Sequence, residues 1–332
     1  MDLSTWQGMR TRDPRRLVLG SAEWGRASGA MLGAMLDRAA GHGVRTLDTA
    51  RAFGTSEARI GEALANRASD ARFRVITRLA PDVHTQGLGI GETLERVLES
   101  LARSREALGL ESLPVVLLHR FEHRHACGGK LWRLLLAERE AGRIGTLGVS
   151  AATPEEAWGA LEDPDIVVQQ VASSLLDLRL VREGFFARAR ELGRTIYVRS
   201  VFLEGVAHLD PPALPPYLAG LAPALGTIRS TAERLGVPAA AVYLAFAREL
   251  LPGAHPVVGC ETEAQLTELL SYWESDRIDV ATLSPLVESL PTLGAELVDP
   301  ARWPVRSPSA DDEASHPAPN RTASKSVATL RN

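Results

Sequence analysis

Eight short apolar runs recur along the chain, at 16–21, 46–50, 74–79, 114–119, 146–151, 165–170, 195–200 and 255–260. Their centres read LVLG, TLDTA, RVIT, PVVLLH, LGVS, IVVQQ, IYVRS and PVVG, near-continuous in apolar residues rather than alternating. A continuous run predicts a parallel strand buried on both faces, because a strand with one wet face would alternate. The gaps carry a different period. Segments 30–41, 56–64, 90–108, 131–141, 154–161, 181–192, 221–235, 239–251 and 263–270 repeat apolar residues at helical spacing and predict helices. Thr153 and Thr262 precede two of these with Glu156 and Gln265 three positions later, a capping-box pattern, whereas Ser56 with Arg59 is only half of one. Trp132 and the run 131–136 read as the buried stripe of a helix.

Eight strands, each followed by a helix, predict one (β/α)8 barrel over residues 16–304, with its site on the loops that follow the strands. An open doubly wound sheet is the runner-up. It calls for a Gly-rich phosphate loop after the first strand, and GSAEWG is not one. Residues 1–15 read as an N-terminal extension. Residues 305–332, rich in Pro, Ser and Ala, hold too few large apolar groups to fold and are expected to be a disordered tail.

Composition narrows the function classes. The hydrophobic fraction of 45% over 332 residues can bury a sizeable core. The net charge of −4 gives no pull towards nucleic acid or anionic membranes. No apolar run reaches the ~20 residues of a membrane helix, and the N-terminus lacks the apolar stretch of a secretory signal. Cys127 and Cys260 make no disulfide framework, so a cytoplasmic protein is expected. Of the 37 basic residues only Lys130 and Lys325 are lysines, which leaves almost no candidate for chemistry needing a buried amine.

In such a barrel the polar groups at the C-terminal ends of the strands face the ligand. Here they are Glu23 and Trp24, Asp48 with Phe53 beyond it, Arg78, His119, Ser150, Gln170, and Arg199 with Ser200. An Asp, an Arg and a His on successive strand ends point to a charged site rather than to local backbone satisfaction. His119, His123, His125 and Cys127 fall within nine residues, but no second cluster completes a tetrahedral set, so no metal is expected.

The same residues carry a family resemblance. LDTARAFGTSEARIGEAL resembles the aldo/keto reductase signature, and VITRLAP, VVLLHRFEH, GVSAATPEEA, VVQQVASSLLD, RSVFLEG and VVGCETEAQLTELL resemble further family motifs in the family's order. The resemblance spans roughly residues 16–275. It implies a carbonyl reductase using NADP(H), in which a tyrosine protonates the alkoxide, a lysine paired with an aspartate lowers the tyrosine pKa, and a histidine orients the carbonyl. Asp48 and His119 match that set. Phe53 stands at the tyrosine position and Arg78 at the lysine position, so the catalytic set reads Asp48, Phe53, Arg78 and His119 in altered form.

The resemblance assigns the cofactor to Ser150, Gln170, Arg199, Ser200, Gly259, Cys260, Gln265 and Glu268, with Ala151 and Leu269 where the family has asparagines, so the NADP(H) site is weakened. Trp24, Phe53, His119 and Tyr217 are the candidate substrate contacts. The implied activity is an NAD(P)-dependent oxidoreductase acting on a sugar-like or small carbonyl through a remodelled site, with His119, a water or Tyr217 as the acid. Two other readings stand beside it: a non-catalytic ligand-binding or regulatory barrel partnering a neighbouring enzyme, and a non-redox elimination or isomerisation using Asp48, Arg78 and His119.

Overall fold

The computed structural model describes residues 13–65 and 73–304. The expected tail at 305–332 and residues 1–12 of the expected N-terminal extension lie outside the described residues. The chain alternates β1 (Val18–Gly20), α1 (Gly29–Gly41), β2 (Thr46–Asp48), α2 (Ser56–Ala65), β3 (Arg74–Arg78), α3 (Ile90–Leu108), β4 (Leu113–Leu118) and α4 (Lys130–Glu140). It continues with β5 (Ile144–Ser150), α5 (Pro154–Glu162), β6 (Val168–Ala172), α6 (Arg179–Arg182), α7 (Phe185–Glu191), β7 (Thr195–Arg199), α8 (Ala222–Leu235), α9 (Ala239–Glu249), β8 (His255–Gly259), α10 (Glu263–Glu274), α11 (Val280–Ser289) and α12 (Ala295–Val298). The strands close in sequence order, β1 to β8, into a parallel barrel. Closure runs through Gly20↔Gly259, beside the β1–β2 pairing Gly20↔Asp48.

The expected helix 181–192 is two helices. Gly184, at φ 77, breaks it between α6 and α7, since a left-handed residue cannot continue the i→i−4 ladder. Helices α11 and α12 were not anticipated in the periodicity. The anticipated capping box at Thr262 forms, and Thr153 caps α5 by accepting from Glu156 N.

Side chains alternate across each strand. One set, Val18, Ile76, Val115, Leu117, Val168 and Tyr197 with Val257, fills the barrel interior. The other set, including Leu19, Leu47, Val75, Val116, Val149, Val171, Val198 and Val258, packs under the helices. Two residues beyond the interior layer, the same alternation turns Asp48, Arg78, His119, Gln170 and Arg199 towards the mouth. Gly148 belongs to the inward set, and a β-carbon there would run into the Val168 carbonyl and to 2.8 Å from the Leu117 side chain. Gly61 lets α2 lie directly on the Ala107 carbonyl of α3.

The opposite end of the barrel is closed by arginines. Arg16 donates to Ala254 O (2.8 Å), Leu251 O (3.2 Å) and Arg248 O (3.2 Å). Arg248, only 1% exposed, donates to Trp273 O (2.5 Å), Ser275 O (2.7 Å) and Ile278 O (3.0 Å) and pairs with Glu249 at 2.7 Å. A helix leaves its last carbonyls without intrahelical partners, and these two guanidinium groups bond such carbonyls at the ends of α9 and α10.

Candidate functional site

The loop after β2 is fixed before any ligand enters. Ser21 Oγ donates to Asp48 O (2.9 Å), and Ser56 Oγ lies 2.7 Å from Ser21 Oγ and within 3.2 Å of Thr49 Oγ1. Glu57, buried at the start of α2, accepts from Thr77 Oγ1 (2.6 Å) and Arg51 Nη1 (2.5 Å). The Ser-Glu pair of the GTSEARIG segment is thus a clamp that sets the direction of Asp48 and of Phe53.

At the mouth, Arg78 Nη2 donates to both carboxylate oxygens of Asp48, at 2.9 and 2.8 Å, and to Gln170 Oε1. Its Nη1 donates to Thr49 O (3.0 Å), and Gln170 Nε2 returns to Asp48 Oδ1 (2.9 Å). The expected Asp48–Arg78 pair is present, but one nitrogen serves both oxygens rather than the two arms of the guanidinium fork. Asp48, Arg78 and Gln170 are 3%, 5% and 0% exposed. The Arg78 guanidinium carbon sits 5.5 Å from the Phe53 ring centroid, a cation–π contact with a ring that carries no hydroxyl.

His119 is the neutral member. Burial first, then the charges of Arg78, Arg120, Arg199 and His123, lower its pKa to about 4, so the ring is uncharged at neutral pH. Its Nδ1 is shielded from solvent and has no hydrogen-bond partner among the described residues. His255, at the start of β8, is likewise lowered to about 4 by burial and by Arg16. A base whose folded pKa is depressed contributes stability that is complete above its unfolded value near 6.5 and is lost as pH falls towards the folded value. The His119→Gln, His255→Gln double variant should therefore lose less stability between pH 7 and pH 4.5 than the parent, read as urea midpoints. Equal losses would show that these rings are not held neutral by the fold.

The remaining anticipated residues are distributed unevenly. Ser150 ends β5, largely buried, and its hydroxyl makes no hydrogen bond among the described residues. Arg199 ends β7, half-buried, with Ser200 Oγ and Ala151 O each at 3.4 Å. Ser200 follows at φ 60, and Leu203 and Glu204 are also left-handed, a strained turn at the rim of the kind found at functional sites. Gly259 is exposed, and a β-carbon there would meet nothing within 4 Å. Burial pushes the Cys260 thiol up to about 12, and its carbonyl accepts from Trp24 Nε1 at 2.7 Å. Trp24 is only 1% exposed, so its indole ties the loops after β1 and β8 together and offers no face to a substrate. Gln265 Oε1 accepts from Glu261 N (2.7 Å) and Thr262 N (3.3 Å), closing the start of α10 on itself. Glu268 is exposed on the same helix. Tyr217 lies in a short 3-10 turn, its ring 6.2 Å from that of Trp303 on the C-terminal segment.

A nicotinamide nucleotide fits this outline with fewer bonds than a full set of strand-end amides would supply. The free Ser150 hydroxyl and the open backbone at Gly259 suit it, whereas both ends of the Gln170 amide are already spent on Asp48 and Arg78. No cluster of three or more His, Cys, Asp or Glu suited to a metal occurs among the described residues. His123 is buried with its ring 6.0 Å from His84, Cys127 Sγ lies 4.0 Å from His84 Nδ1, and His125 meets Phe121 edge-on with ring centroids 5.9 Å apart. No helix among the described residues is long and apolar enough to cross a membrane.

The model of the aldo/keto reductase family matches residues 16–288. Among solved structures, an aldo-keto reductase from Bacillus halodurans, AKR11C1 in its holo form, superposes with a TM-score of 0.65 at 17% identity, covering 87% of this chain and 95% of that one. A thermostable aldo-keto reductase, Tm1743, in complex with the inhibitor epalrestat, gives 0.63 at 18% identity, covering 82% and 94%. At such identities these two likenesses concern the fold. No functionally curated protein matches the sequence significantly.

Proposed function

Because this chain belongs to the aldo/keto reductase family, we propose that it is an NAD(P)-dependent oxidoreductase that takes a small or sugar-like carbonyl at its barrel mouth and delivers the proton by a rebuilt route. The observation that carries this reading is the convergence of Asp48, Arg78 and Gln170, from three strands, on one charged centre, with the neutral imidazole of His119 directly after a fourth. The Ser150 hydroxyl and the backbone beside Gly259 would hold the nucleotide. When bound, it supplies a hydride.

The chain's own residues do the rest. Neutral His119 donates an N–H to the carbonyl oxygen, orienting and polarising it without carrying charge, as a neutral imidazole can. Arg78, tied to Asp48, fixes a positive charge beside the oxygen that becomes negative. Phe53 has no proton to give, so the alkoxide takes one from water at His119. General acid help is typically worth 10²–10⁴-fold, and its absence makes aldehyde reduction slow.

Titration with NADPH and NADH, followed by fluorescence, tests the cofactor. Phe53→Tyr tests the proton route. Nitrobenzaldehyde reduction, read as NADPH oxidation, should rise by about 10²-fold or more, and further in Phe53→Tyr with Arg78→Lys, whose ammonium approaches the phenol more closely. A parent that already reduces such aldehydes at ordinary family rates would sink the rebuilt route. Failure to bind either nucleotide would sink the oxidoreductase reading. The second reading, a ligand-binding barrel without turnover, would then hold, and the closure of Gln170 onto Asp48 and Arg78 is the observation in its favour.

A further inference from the structure

Two arginines end barrel strands at the mouth, Arg78 and Arg199, and among the described residues only Arg78 has a counter-charge. Arg78 is offset by Asp48 at 2.8 Å. Arg51, on the loop after β2, is offset by Glu57 at 2.5 Å. Arg199 has no such partner: among the described residues no carboxylate lies within ion-pair distance of it. Its only hydrogen bonds among the described residues are the contacts to Ser200 Oγ and Ala151 O at 3.4 Å, beyond the ordinary N–H···O range, and both acceptors are uncharged. Glu204, Asp299 and Asp48 act on it only at a distance, while burial and the like charge of Arg78 depress its pKa.

We propose that Arg199, which the family resemblance assigns to the cofactor, is instead the anchor for an oxyanion on the substrate, so that the small carbonyl taken by this barrel carries a carboxylate or a phosphate. The assignment rests on the oxidoreductase reading above and gives it a substrate class. A desolvated cation without a counter-charge is costly, and an incoming anion removes that cost. The guanidinium offers a planar fork of donors whose shape matches carboxylate and phosphate oxygens. Its position suits the task. Arg199 ends β7 opposite Ala172 of β6, more exposed than the buried Asp48–Arg78–Gln170 centre. Arg199 stands two positions beyond the inward-facing Tyr197, and His119 two beyond the inward-facing Leu117, so both face the same mouth. A carbonyl oxygen at the neutral imidazole and an oxyanion at Arg199 would hold one small molecule at two points. No acidic side chain other than Asp48, already paired, ends a barrel strand to oppose the anion. The alternative role is structural, with Arg199 merely steadying the Ala151 carbonyl and the strained Ser200 turn. It predicts a change in stability without a change in ligand preference.

Binding without nucleotide separates the two. The probes are pyruvate against pyruvamide, and glyceraldehyde 3-phosphate against glyceraldehyde, followed by tryptophan fluorescence or calorimetry on the full chain. The parent should prefer at least one anion over its neutral partner by roughly ten- to a hundredfold, the range of a charged hydrogen bond. The pair that shows the preference identifies carboxylate or phosphate. Arg199→Gln should erase that preference, and Arg199→Lys, which keeps the charge but not the fork, should keep part of it. A parent without preference, or without binding to any of the four, overturns the proposal. So does a preference that survives in Arg199→Gln, and if that variant does not fold, a preference undiminished in Arg199→Lys does the same. Loss of nucleotide binding with the anion preference intact would sink the oxidoreductase reading and leave the anchor standing. Nucleotide binding and turnover without anion preference would do the reverse.

Discussion

Asp48→Ala is expected to lower the free energy of unfolding by about 3–5 kcal/mol, measured by urea denaturation at neutral pH. The reason is what it leaves behind. Arg78 is 5% exposed, and without the carboxylate its guanidinium keeps, among the described residues, only Gln170 Oε1 and Thr49 O as hydrogen-bond acceptors beside the Phe53 ring. A buried cation stripped of its counter-charge costs far more than the pair contributes while intact. Asp48→Asn should cost less, because an amide oxygen still accepts from Arg78. Replacing both Asp48 and Arg78 with apolar residues of similar volume should recover much of the loss, since removing an entire buried pair is often close to neutral. If Asp48→Ala unfolds at the parental midpoint, the pair is wet in solution, and the closed Asp48–Arg78–Gln170 centre does not exist as described.

Arg248→Met should be comparably severe, about 4 kcal/mol or more, although Arg248 is far from the mouth. The substitution nearly conserves volume, so it isolates the polar loss. It leaves the carbonyls of Trp273, Ser275 and Ile278 without their donor and the carboxylate of Glu249, itself 8% exposed, without its cation. Each orphaned buried acceptor costs about 1–3 kcal/mol. Arg248→Lys should not rescue it, because a single ammonium cannot span acceptors on both the end of α10 and the segment beyond it. Ligand preference at the mouth should be unchanged in whatever fraction folds. A loss below about 1 kcal/mol would show that water reaches this end of the barrel and replaces the guanidinium.

Strand number, helix alternation and the barrel itself are legible in the order of residues, because a strand covered on both faces has to be apolar throughout and eight such runs recur. The strand-end Asp48, Arg78 and His119 are legible for a related reason: a charged side chain directly after a buried run has few places to go except the mouth. Phe53 and Arg78 at positions where the family resemblance expects tyrosine and lysine are equally a matter of sequence.

Other features depend on residues that meet only when the barrel closes. Gln170 reads as a free amide at a strand end, and its capture by Asp48 and Arg78 joins strands that are 122 and 92 positions away in the chain. Trp24 reads as an aromatic wall for a substrate. Its hydrogen bond to Cys260, 236 positions distant, exists only because the first and last strands are neighbours. Arg248 looks like any arginine near a helix end until α10 brings its carbonyls within reach. The break at Gly184 escapes the pattern because the apolar spacing of 181–192 stays helical across it, and one glycine costs a helix only about 1 kcal/mol. The lone charge of Arg199 is the same kind of fact. Local sequence sets which groups a strand end carries, through the period of burial; which of them are neutralised by one another, and which are not, is decided by distances that only the closed barrel defines.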